Sequence, residues 1–370
     1  MQKDWYTIDN ISEVDSPALV VYPARAKENI RMVKDFVNNE MTRLRPHVKT
    51  HKSPEISKLL MEAGITKFKC ATIAEAEMLA IAGAADVLLA YQPIGPKAKR
   101  FISLVKKYPS TRFSFLLDND TAAIYISEEA AKEKITLSVF IDVNVGMNRT
   151  GIVPEQALKL YEDCQSLQGI TIIGLHAYDG HLRDTDFTVR SQKCDEAFAK
   201  VTALHAAIKD KFNKSLTIVA GGTPTFPIHA KRKDIECSPG TFIYWDKGYN
   251  QTLTEQPYLF AALVITRVIS QPTADTITVD LGHKNIASEN PLNNRVTFLN
   301  APDAQPTGQS EEHLVLKVAH PEKYHIGDVL YGVPYHICPT VALHDRVTVV
   351  ENGKATETWT TLARNRIITV

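Results

Sequence analysis

Short β-branched runs alternate with longer helical patterns through the first two thirds of this chain, and this alternation limits the possible folds more than any other feature. The strand candidates are Ala18–Val21, Leu44–Val48, Phe68–Ala71, Asp86–Ala90, Phe113–Leu117, Leu137–Val143, Thr171–His176, Leu216–Val219 and Asp234–Cys237. Repeated strand–helix units predict a parallel sheet with helical crossovers. Because these candidates exceed an eight-stranded barrel by one, we place Ala18–Val21 outside the barrel and begin the barrel at Leu44.

The sequence changes character after about residue 255, where long helical patterns disappear. The strand-like segments there are Tyr258–Ile269, Thr276–Asp280, His313–Val318, Arg346–Val350 and Thr356–Thr361, with an Asn352-Gly353 turn signal between the last two. Asn290 to Glu312 is polar and contains prolines, so we predict a surface loop there. We therefore expect an α/β barrel of residues 16–255 and a β-rich domain of residues 256–370, which residues 1–15 join.

Composition excludes several classes of protein. Lys plus Arg and Asp plus Glu each number 42, whereas a nucleic-acid-binding protein usually carries a basic excess. The chain has no run of 18 apolar residues, and its first ten residues lack the apolar core of a signal peptide. Five scattered cysteines fit reduced thiols better than a disulfide framework. These features predict a cytoplasmic protein without a membrane or nucleic-acid partner.

Reactive groups of a parallel barrel collect at the carboxyl ends of its strands. The first such segment is Arg45-Pro46-His47-Val48-Lys49-Thr50-His51-Lys52. A lysine in a barrel mouth loses charge through desolvation and neighbouring cations, and a neutral amine forms a Schiff base with an aldehyde cofactor. The alternative interpretation of this segment is a basic surface turn.

Three further strand ends carry candidate site residues. Arg149 lies in Asp142–Gly151, where a guanidinium can keep a pyridine nitrogen unprotonated or can cap a loop. Gly221-Gly222-Thr223 follows another strand, and its amides and hydroxyl suit a phosphate or form a plain turn. Tyr178 and His181 follow a third strand, as site residues or as ordinary rim residues.

A metal-ligand pattern occurs in the β-rich region, in Tyr335-His336-Ile337-Cys338-Pro339-Thr340. If this segment is extended, His336 and Cys338 point to the same side, because side chains of a strand alternate. An imidazole and a thiolate together suit zinc and leave positions open for water and substrate. The alternative is a buried cysteine beside a structural histidine.

Together these segments resemble the pyridoxal-phosphate enzymes of the alanine racemase fold, specifically the D-threonine aldolase and D-serine dehydratase group. The resemblance runs from Asp15 to Asp345 and implies a (β/α)8 barrel of the alanine racemase N-terminal type plus a C-terminal all-β domain. It implies these site residues: Lys49 as the lysine that carries pyridoxal 5'-phosphate; Arg149 near the pyridine nitrogen; Tyr178; Gly221, Gly222, Thr223, Gly240 and Thr241 for the phosphate; and His336 and Cys338 for zinc or manganese.

The reaction within this group is less constrained than the fold. Asp280-Leu281-Gly282-His283-Lys284, the following Ser288-Glu289 and Tyr178-x-Gly180 resemble the aldolases, whereas His336-x-Cys338 resembles the dehydratases. We predict a D-threonine aldolase that cleaves D-3-hydroxy amino acids to glycine and an aldehyde, with His51 or His181 as a proton relay. The alternative is a D-serine dehydratase that yields pyruvate and ammonia; a racemase and a non-catalytic cofactor carrier are further readings. By analogy with such barrels we expect a homodimer.

Overall fold

The computed structural model describes residues 4–370. Its strands are β1 (Ala18–Val21), β2 (Lys67–Cys70), β3 (Asp86–Leu89), β4 (Arg112–Leu117), β5 (Leu137–Asp142), β6 (Ile170–Ala177), β7 (Thr217–Ala220), β8 (Ile235–Cys237), β9 (Ala262–Thr273), β10 (Thr276–Val279), β11 (Val296–Phe298), β12 (Gln305–Gln309), β13 (Leu314–Lys317), β14 (Val329–Pro334), β15 (Arg346–Glu351) and β16 (Lys354–Thr360). Its α-helices are α1 (Pro23–Phe36), α2 (Pro54–Glu62), α3 (Ile73–Ala82), α4 (Pro96–Lys107), α5 (Asp120–Lys132), α6 (Pro154–Cys164), α7 (Phe187–Phe212), α8 (Phe226–His229), α9 (Lys247–Thr252) and α10 (Ile337–Leu343).

The chain divides into two compact units. The barrel unit comprises Val33–Lys49, Pro54–Gly240 and Asn365–Val370, and the sheet unit comprises the residues up to Met32, Thr50–Ser53 and Thr241–Arg364. The domain boundary between residues 255 and 256 stays a prediction.

Seven parallel strands, in the order β2 to β8, form the sheet of the barrel unit. The segment from Leu44 to His47 joins its two edges: Arg45 N–H donates to the Cys237 carbonyl on one side, and Lys69 N–H donates to the Pro46 carbonyl on the other, both at 2.9 Å. The predicted strand Leu44–Val48 is therefore reduced to two isolated bridges. Pro46 explains this, because proline has no N–H to donate toward β2.

Local signals set the helix boundaries of the barrel unit. The Thr72 hydroxyl accepts from Glu75 N–H, while the Glu75 carboxylate accepts from Ala71 N–H, and together they cap the start of α3. Gly83 ends the same helix at a φ of 95°, a conformation that favours glycine. Asn119 caps α5 by accepting from Ala122 N–H. Thr72 and Asn119 follow β2 and β4, so their caps lie in turns at the carboxyl ends of the strands, where the candidate site lies.

The sheet unit holds a mostly antiparallel sheet in the order β12-β13-β10-β9-β1-β15-β16, with β14 between β9 and β11. β1 pairs antiparallel with β9 and parallel with β15, so the placement of Ala18–Val21 outside the barrel is confirmed. Each of the four residues of β1 lies opposite a buried residue of β9, for example Leu19 opposite Val264. This pairing brings the amino-terminal part of the chain into the β-rich unit.

One prediction for the sheet unit is wrong, and the condition under which His336 and Cys338 were expected to share a side is not met. Asn290 to Glu312 is not a loop, since it contains β11 and β12. Val296 and Phe298 are buried on β11, whereas β12 is an edge strand, where polar residues and Pro306 are tolerated. The segment around Cys338 is not extended either, because α10 begins at Ile337.

Between residues 4 and 370, no helix combines the length and the apolar character that a membrane span requires.

Candidate active site

A cavity of about 240 Å³ opens in the barrel unit at the carboxyl ends of its strands. The residues that line it are His47, Lys49, Lys69, Ala71, Ala90, Tyr91, Leu116, Asp142, Val143, Asn144, Met147, Arg149, Thr150, His176 and Tyr178. Three of the predicted site residues, Lys49, Arg149 and Tyr178, therefore come together in one pocket.

The arginine of the Arg-Pro-His-x-Lys motif lies inside the barrel rather than in the pocket. Its Nε is 2.6 Å from Glu236 Oε2, and one of its terminal nitrogens is 2.6 Å from Asp86 Oδ1. Burial acts against the charge of Arg45, but the two carboxylates outweigh it and raise the arginine pKa. Arg45 thus ties the motif to β3 and β8.

The histidine of the motif orients the lysine. The His47 Nδ1 accepts from the Lys49 backbone N–H at 3.2 Å, and Lys49 lies in a short 3-10 helix, Val48–Thr50. Lys49 is half-buried and reaches the pocket. The motif therefore anchors one end in the barrel and presents the amine at the other end.

A second lysine of the pocket, Lys69 on β2, was not identified from the sequence. It is 2% exposed, and its Nζ lies 3.5 Å from His176 Nε2. Burial first, and the Lys49 charge second, lower the pKa of Lys69 to about 7. The only available signal was a lysine between two buried residues of a strand, Phe68 and Cys70.

His176 joins Lys69 to a carboxylate. Its Nδ1 lies 2.7 Å from Asp142 Oδ1, and the other oxygen of Asp142 accepts from the Thr150 hydroxyl at 2.9 Å. Burial lowers the pKa of His176 despite the contact with Asp142, so the imidazole is neutral. With Nδ1–H donating to Asp142, Nε2 is the acceptor that faces Lys69.

Tyr178 lies beside two cations of the pocket. The Arg149 guanidinium carbon is 5.1 Å from its ring centre, and Lys69 Nζ is 5.4 Å from it. Arg149 itself is exposed at the mouth of the pocket. Cations over an aromatic face are favourable, so the tyrosine helps to hold this positive charge in place.

The predicted phosphate loop is buried and adjoins the pocket through Tyr178. Gly221 has a φ of 75°, and a Cβ on Gly222 would lie 2.8 Å from Tyr178 Cε2, so neither position accepts a side chain. Gly240 N–H donates to the Thr223 hydroxyl at 3.2 Å. Thr241 begins a 3-10 helix of the sheet unit, Thr241–Ile243.

A buried network braces this glycine loop. Asp179 accepts from the Thr225 hydroxyl at 2.6 Å and from His229 Nε2 at 2.8 Å, and Thr225 in turn accepts from Gly222 N–H at 3.4 Å. Burial alone raises the pKa of the Asp179 carboxyl, but His229 and Thr225 outweigh it and lower that pKa. This brace was not predicted from the sequence, because Thr225 and His229 lie 46 and 50 residues from Asp179 along the chain.

The same network resembles a metal site by its donors. Ligand atoms of Asp179, Cys194 and His229 lie within 4.8 Å of one another. However, an Arg232 nitrogen is 2.6 Å from His229 Nδ1, and burial together with Asp179 raises the pKa of the Cys194 thiol to about 12. A neutral thiol beside a guanidinium is a poor metal donor set, so we interpret this cluster as a hydrogen-bonded brace.

The predicted metal ligands lie in the sheet unit, with a geometry different from the extended one. His336 is the N-cap of α10, and Cys338 lies in the first turn of that helix. They still meet, because the His336 side chain hydrogen-bonds Cys338 as well as Glu289, whose Oε1 is 2.5 Å from Nδ1. Cys338 Sγ lies 3.2 Å from the Thr50 hydroxyl.

The two predicted proton relays differ in environment. His51 in the sheet unit is buried, its Nδ1 accepts from Ser53 N–H at 3.2 Å, and burial lowers its pKa to about 3. Within residues 4–370 its Nε2 has no hydrogen-bond partner. His181 in the barrel unit is exposed and lies against Gly146, where an added Cβ would be 3.0 Å from its Nε2.

Comparisons with known proteins agree with this architecture. Residues 21–247, more than half of the chain, match the alanine racemase N-terminal domain, and residues 261–350 match a serine dehydratase domain. A D-threonine aldolase of Arthrobacter sp. is 27% identical over 96% of this chain and 94% of its own length. A 3-hydroxy-D-aspartate aldolase of Paracoccus denitrificans is 25% identical over 96% and 93%.

A solved structure, the D-threonine aldolase of Filomicrobium marinum, superposes with a TM-score of 0.88 at 25% identity and covers 97% of both chains. These relatives confirm the predicted alanine racemase-type barrel with a C-terminal β domain, and an enzyme of the lyase class. The fold family implies pyridoxal 5'-phosphate as cofactor. The chain thus belongs to the alanine racemase N-terminal domain family.

Proposed function

We propose that this enzyme is a D-threonine aldolase that depends on pyridoxal 5'-phosphate and a divalent metal and cleaves D-3-hydroxy amino acids to glycine and an aldehyde. The observation that supports it best is the pocket in which the amine of Lys49 adjoins Lys69, Arg149 and Tyr178. A relative named D-threonine aldolase, aligned over 96% of this chain, supports the same reaction.

The residues present fit the cofactor. An aldehyde needs an amine, which Lys49 offers, and an anionic ring needs a cation, which Arg149 provides. Gly221 and Gly222, to which the resemblance assigns the phosphate, pack so closely against His229 and Tyr178 that only glycine fits there. When bound, the cofactor supplies an electron sink for the breaking Cα–Cβ bond.

The side chains of this enzyme then hold the substrate and move protons. Lys49 would hold the cofactor covalently through Nζ. The reaction removes a proton from the 3-hydroxyl and returns one to the α-carbon of glycine. Of the two predicted relays, we assign this transfer to His181, because a pKa of about 3 makes His51 a weak base.

The donors around α10 fit a divalent metal. An imidazole and a thiol meet at His336 and Cys338, and Glu289 holds the Nδ1 of His336, which leaves Nε2 for the ion. Metal-ligating histidines usually have such a carboxylate partner. A metal there supplies Lewis acidity toward an oxygen ligand.

The test of the cofactor assignment is the Lys49→Ala variant, with Lys58→Ala on the exposed face of α2 as control. After reconstitution and borohydride reduction, peptide mass analysis should find the adduct on Lys49 of the wild type and of the control. The variant should carry no adduct and no aldolase activity. An undiminished adduct in Lys49→Ala contradicts the assignment.

The test of the metal assignment compares the His336→Ala and Cys338→Ala variants with Cys194→Ala. Elemental analysis after dialysis should find the metal lost from the first two variants and retained by the third. Loss of metal from Cys194→Ala alone would move the site to the cluster of Asp179 and His229.

A second candidate function is D-serine dehydratase. It is favoured by the thiol of Cys338 and by the serine dehydratase domain matched over residues 261–350. Incubation with D-threonine and D-serine in the presence of manganese or zinc distinguishes the two. Glycine and acetaldehyde indicate the aldolase, pyruvate and ammonia indicate the dehydratase, and an L-amino acid product indicates a racemase.

We further propose that the enzyme is a homodimer in the cytoplasm and that its partners are small D-amino acids. Light scattering of the purified holoenzyme tests the dimer, and a monomer mass contradicts it.

A further inference from the structure

The pocket holds a second amine for which the proposed reaction has no use. Lys49 is the lysine of the motif, but Lys69 enters from a different strand, β2, and is buried to 2% exposure. Among residues 4–370, its amine has one direct side-chain partner, the neutral His176, at 3.5 Å. A buried lysine without a carboxylate partner is costly to charge, so a fold retains one for a reason other than stability.

The charges around Lys69 are unbalanced. The ionisable groups that act on it are Lys49, Asp142, Asp179, Arg149, His176 and Tyr178. Asp142 already accepts from His176 and Thr150, and Asp179 from His229 and Thr225. Among the side chains that line the pocket, Lys49, Lys69 and Arg149 are basic and Asp142 is acidic, so the lining carries an excess of basic groups.

We propose that Lys69 is a further cofactor-binding residue, which takes up a proton when the anionic cofactor enters and then neutralises part of its charge. This inference rests on the proposed function, because it assumes that pyridoxal 5'-phosphate occupies this pocket. Lys69 and Lys49 thereby divide two tasks: one amine binds the cofactor covalently, and the other balances its charge.

Geometry and charge both support this division. The Lys69 amine lies 5.4 Å from the ring centre of Tyr178, on the lining of the same pocket as Lys49. With a pKa of about 7, it is largely neutral at pH 8 in the free pocket. An anion nearby raises that pKa, so binding draws a proton from solvent between the two pKa values.

The experiment uses pyridoxine 5'-phosphate, which has the ring and phosphate of the cofactor but no aldehyde and hence no covalent link to Lys49. Calorimetric titrations of the cofactor-free full chain in two buffers of different ionisation enthalpy give the number of protons taken up. The variant is Lys69→Met, which keeps the volume of the side chain. The control is Lys67→Met on the same strand, whose amine pairs with Glu236 outside the pocket.

At pH 8 the wild type and Lys67→Met should take up about one proton more than Lys69→Met, and at pH 6 the difference should nearly vanish, because Lys69 is then already charged. Lys69→Met should also bind the probe about tenfold more weakly at pH 7, which corresponds to about 1.4 kcal/mol. If Lys69→Met does not fold, as judged by circular dichroism, Lys69→Gln is used in its place.

The outcomes separate this inference from the proposed function. Equal proton uptake and equal affinity in the wild type and Lys69→Met overturn the inference, even if the wild type forms the adduct at Lys49. If the wild type binds neither the probe nor pyridoxal 5'-phosphate, the proposed function fails and the inference fails with it. Loss of uptake in Lys69→Met alone, with the adduct at Lys49 retained, supports both.

Discussion

Two cations are buried inside the same barrel, and their surroundings are opposite. Arg45 bonds two carboxylates, Asp86 and Glu236, and its pKa is raised. Lys69 faces a neutral imidazole and further cations, and its pKa is lowered to about 7. In the first arrangement the carboxylates bond the arginine, and these bonds hold strands together. The second leaves a charge unpaired at the carboxyl ends of the strands, where parallel barrels place their chemistry.

The largest expected effect comes from breaking the paired cation. Arg45→Met should lower the free energy of unfolding by about 3–5 kcal/mol, because it removes the buried cation that both Asp86 and Glu236 bond and leaves these carboxylates only their more exposed partners. Urea unfolding of the cofactor-free protein measures this change. If Arg45→Met lowers the free energy of unfolding by less than about 1 kcal/mol, the ion pairs of Arg45 do not stabilise the fold.

A smaller loss is expected from the brace of the glycine loop. Asp179→Asn replaces one of two acceptors with a donor and should cost about 1–3 kcal/mol of unfolding free energy. It should also weaken binding of pyridoxine 5'-phosphate, since Thr225 contacts the Gly222 amide. Asp195→Asn, at an exposed partner of Arg232, is the matched control and should change neither quantity. If Asp179→Asn binds pyridoxine 5'-phosphate as tightly as the wild type does, the brace does not contribute to the cofactor site.

The unpaired cation should behave in the opposite way to Arg45. The folded pKa of Lys69 is about 7 against an ordinary 10.5, so between these values the unfolded chain binds a proton that the folded chain does not. Stability of the cofactor-free protein therefore rises with pH across that window, by at most about 1.4 kcal/mol per pH unit from this group. The destabilisation of the folded protein by Lys69 is complete below about pH 7 and absent above about pH 10.5.

Lys69→Met should remove this slope and stabilise the cofactor-free protein at pH 7. Unfolding in urea at pH 7, 8 and 9 with Lys67→Met as control measures it. The contrary result is that Lys69→Met is less stable than the wild type at pH 7 while the slope of stability against pH is unchanged. The amine of Lys69 would then be stabilised by its neighbours in the same way as Arg45.

The smallest effect is expected at the exposed partner of Asp86, one of the two carboxylates that bond Arg45. Arg112 bonds Asp86 from outside, and its side chain is 65% exposed. Arg112→Met should cost less than about 1 kcal/mol, and salt should reduce even that, because exposed ion pairs are screened. A cost similar to that of Arg45→Met would mean that exposure does not distinguish the two arginines.

The sequence predicted the parts of the fold that rest on local patterns. Alternating strands and helices predicted the barrel, and Ala18–Val21 was correctly placed outside it. Lys49, Arg149 and Tyr178 were found because each follows a strand, and strand ends of a parallel barrel converge. Thr223 and Gly240, which the resemblance assigns to the phosphate, lie within hydrogen-bond distance of each other, while their role stays a prediction.

What the sequence did not predict depends on contacts between distant segments. Lys69 reads as one polar residue in a strand until β6 brings His176 within 3.5 Å of it, 107 residues later in the chain. The helix at Cys338 was missed because its few residues are too short for a periodic pattern. β12 was missed because an edge strand needs no apolar alternation, only a partner in β13.

The junction of Leu44 to His47 with both edges of the parallel sheet has a consequence for the order of folding. Arg45 meets Glu236 across 191 residues of sequence, so this bond forms only after nearly two thirds of the chain has left the ribosome. Until then the amino-terminal segment waits without its partner, and such distant pairings are slow to form. The segment that carries Lys49 is thus held in place by β8, the last strand of the barrel to be synthesised.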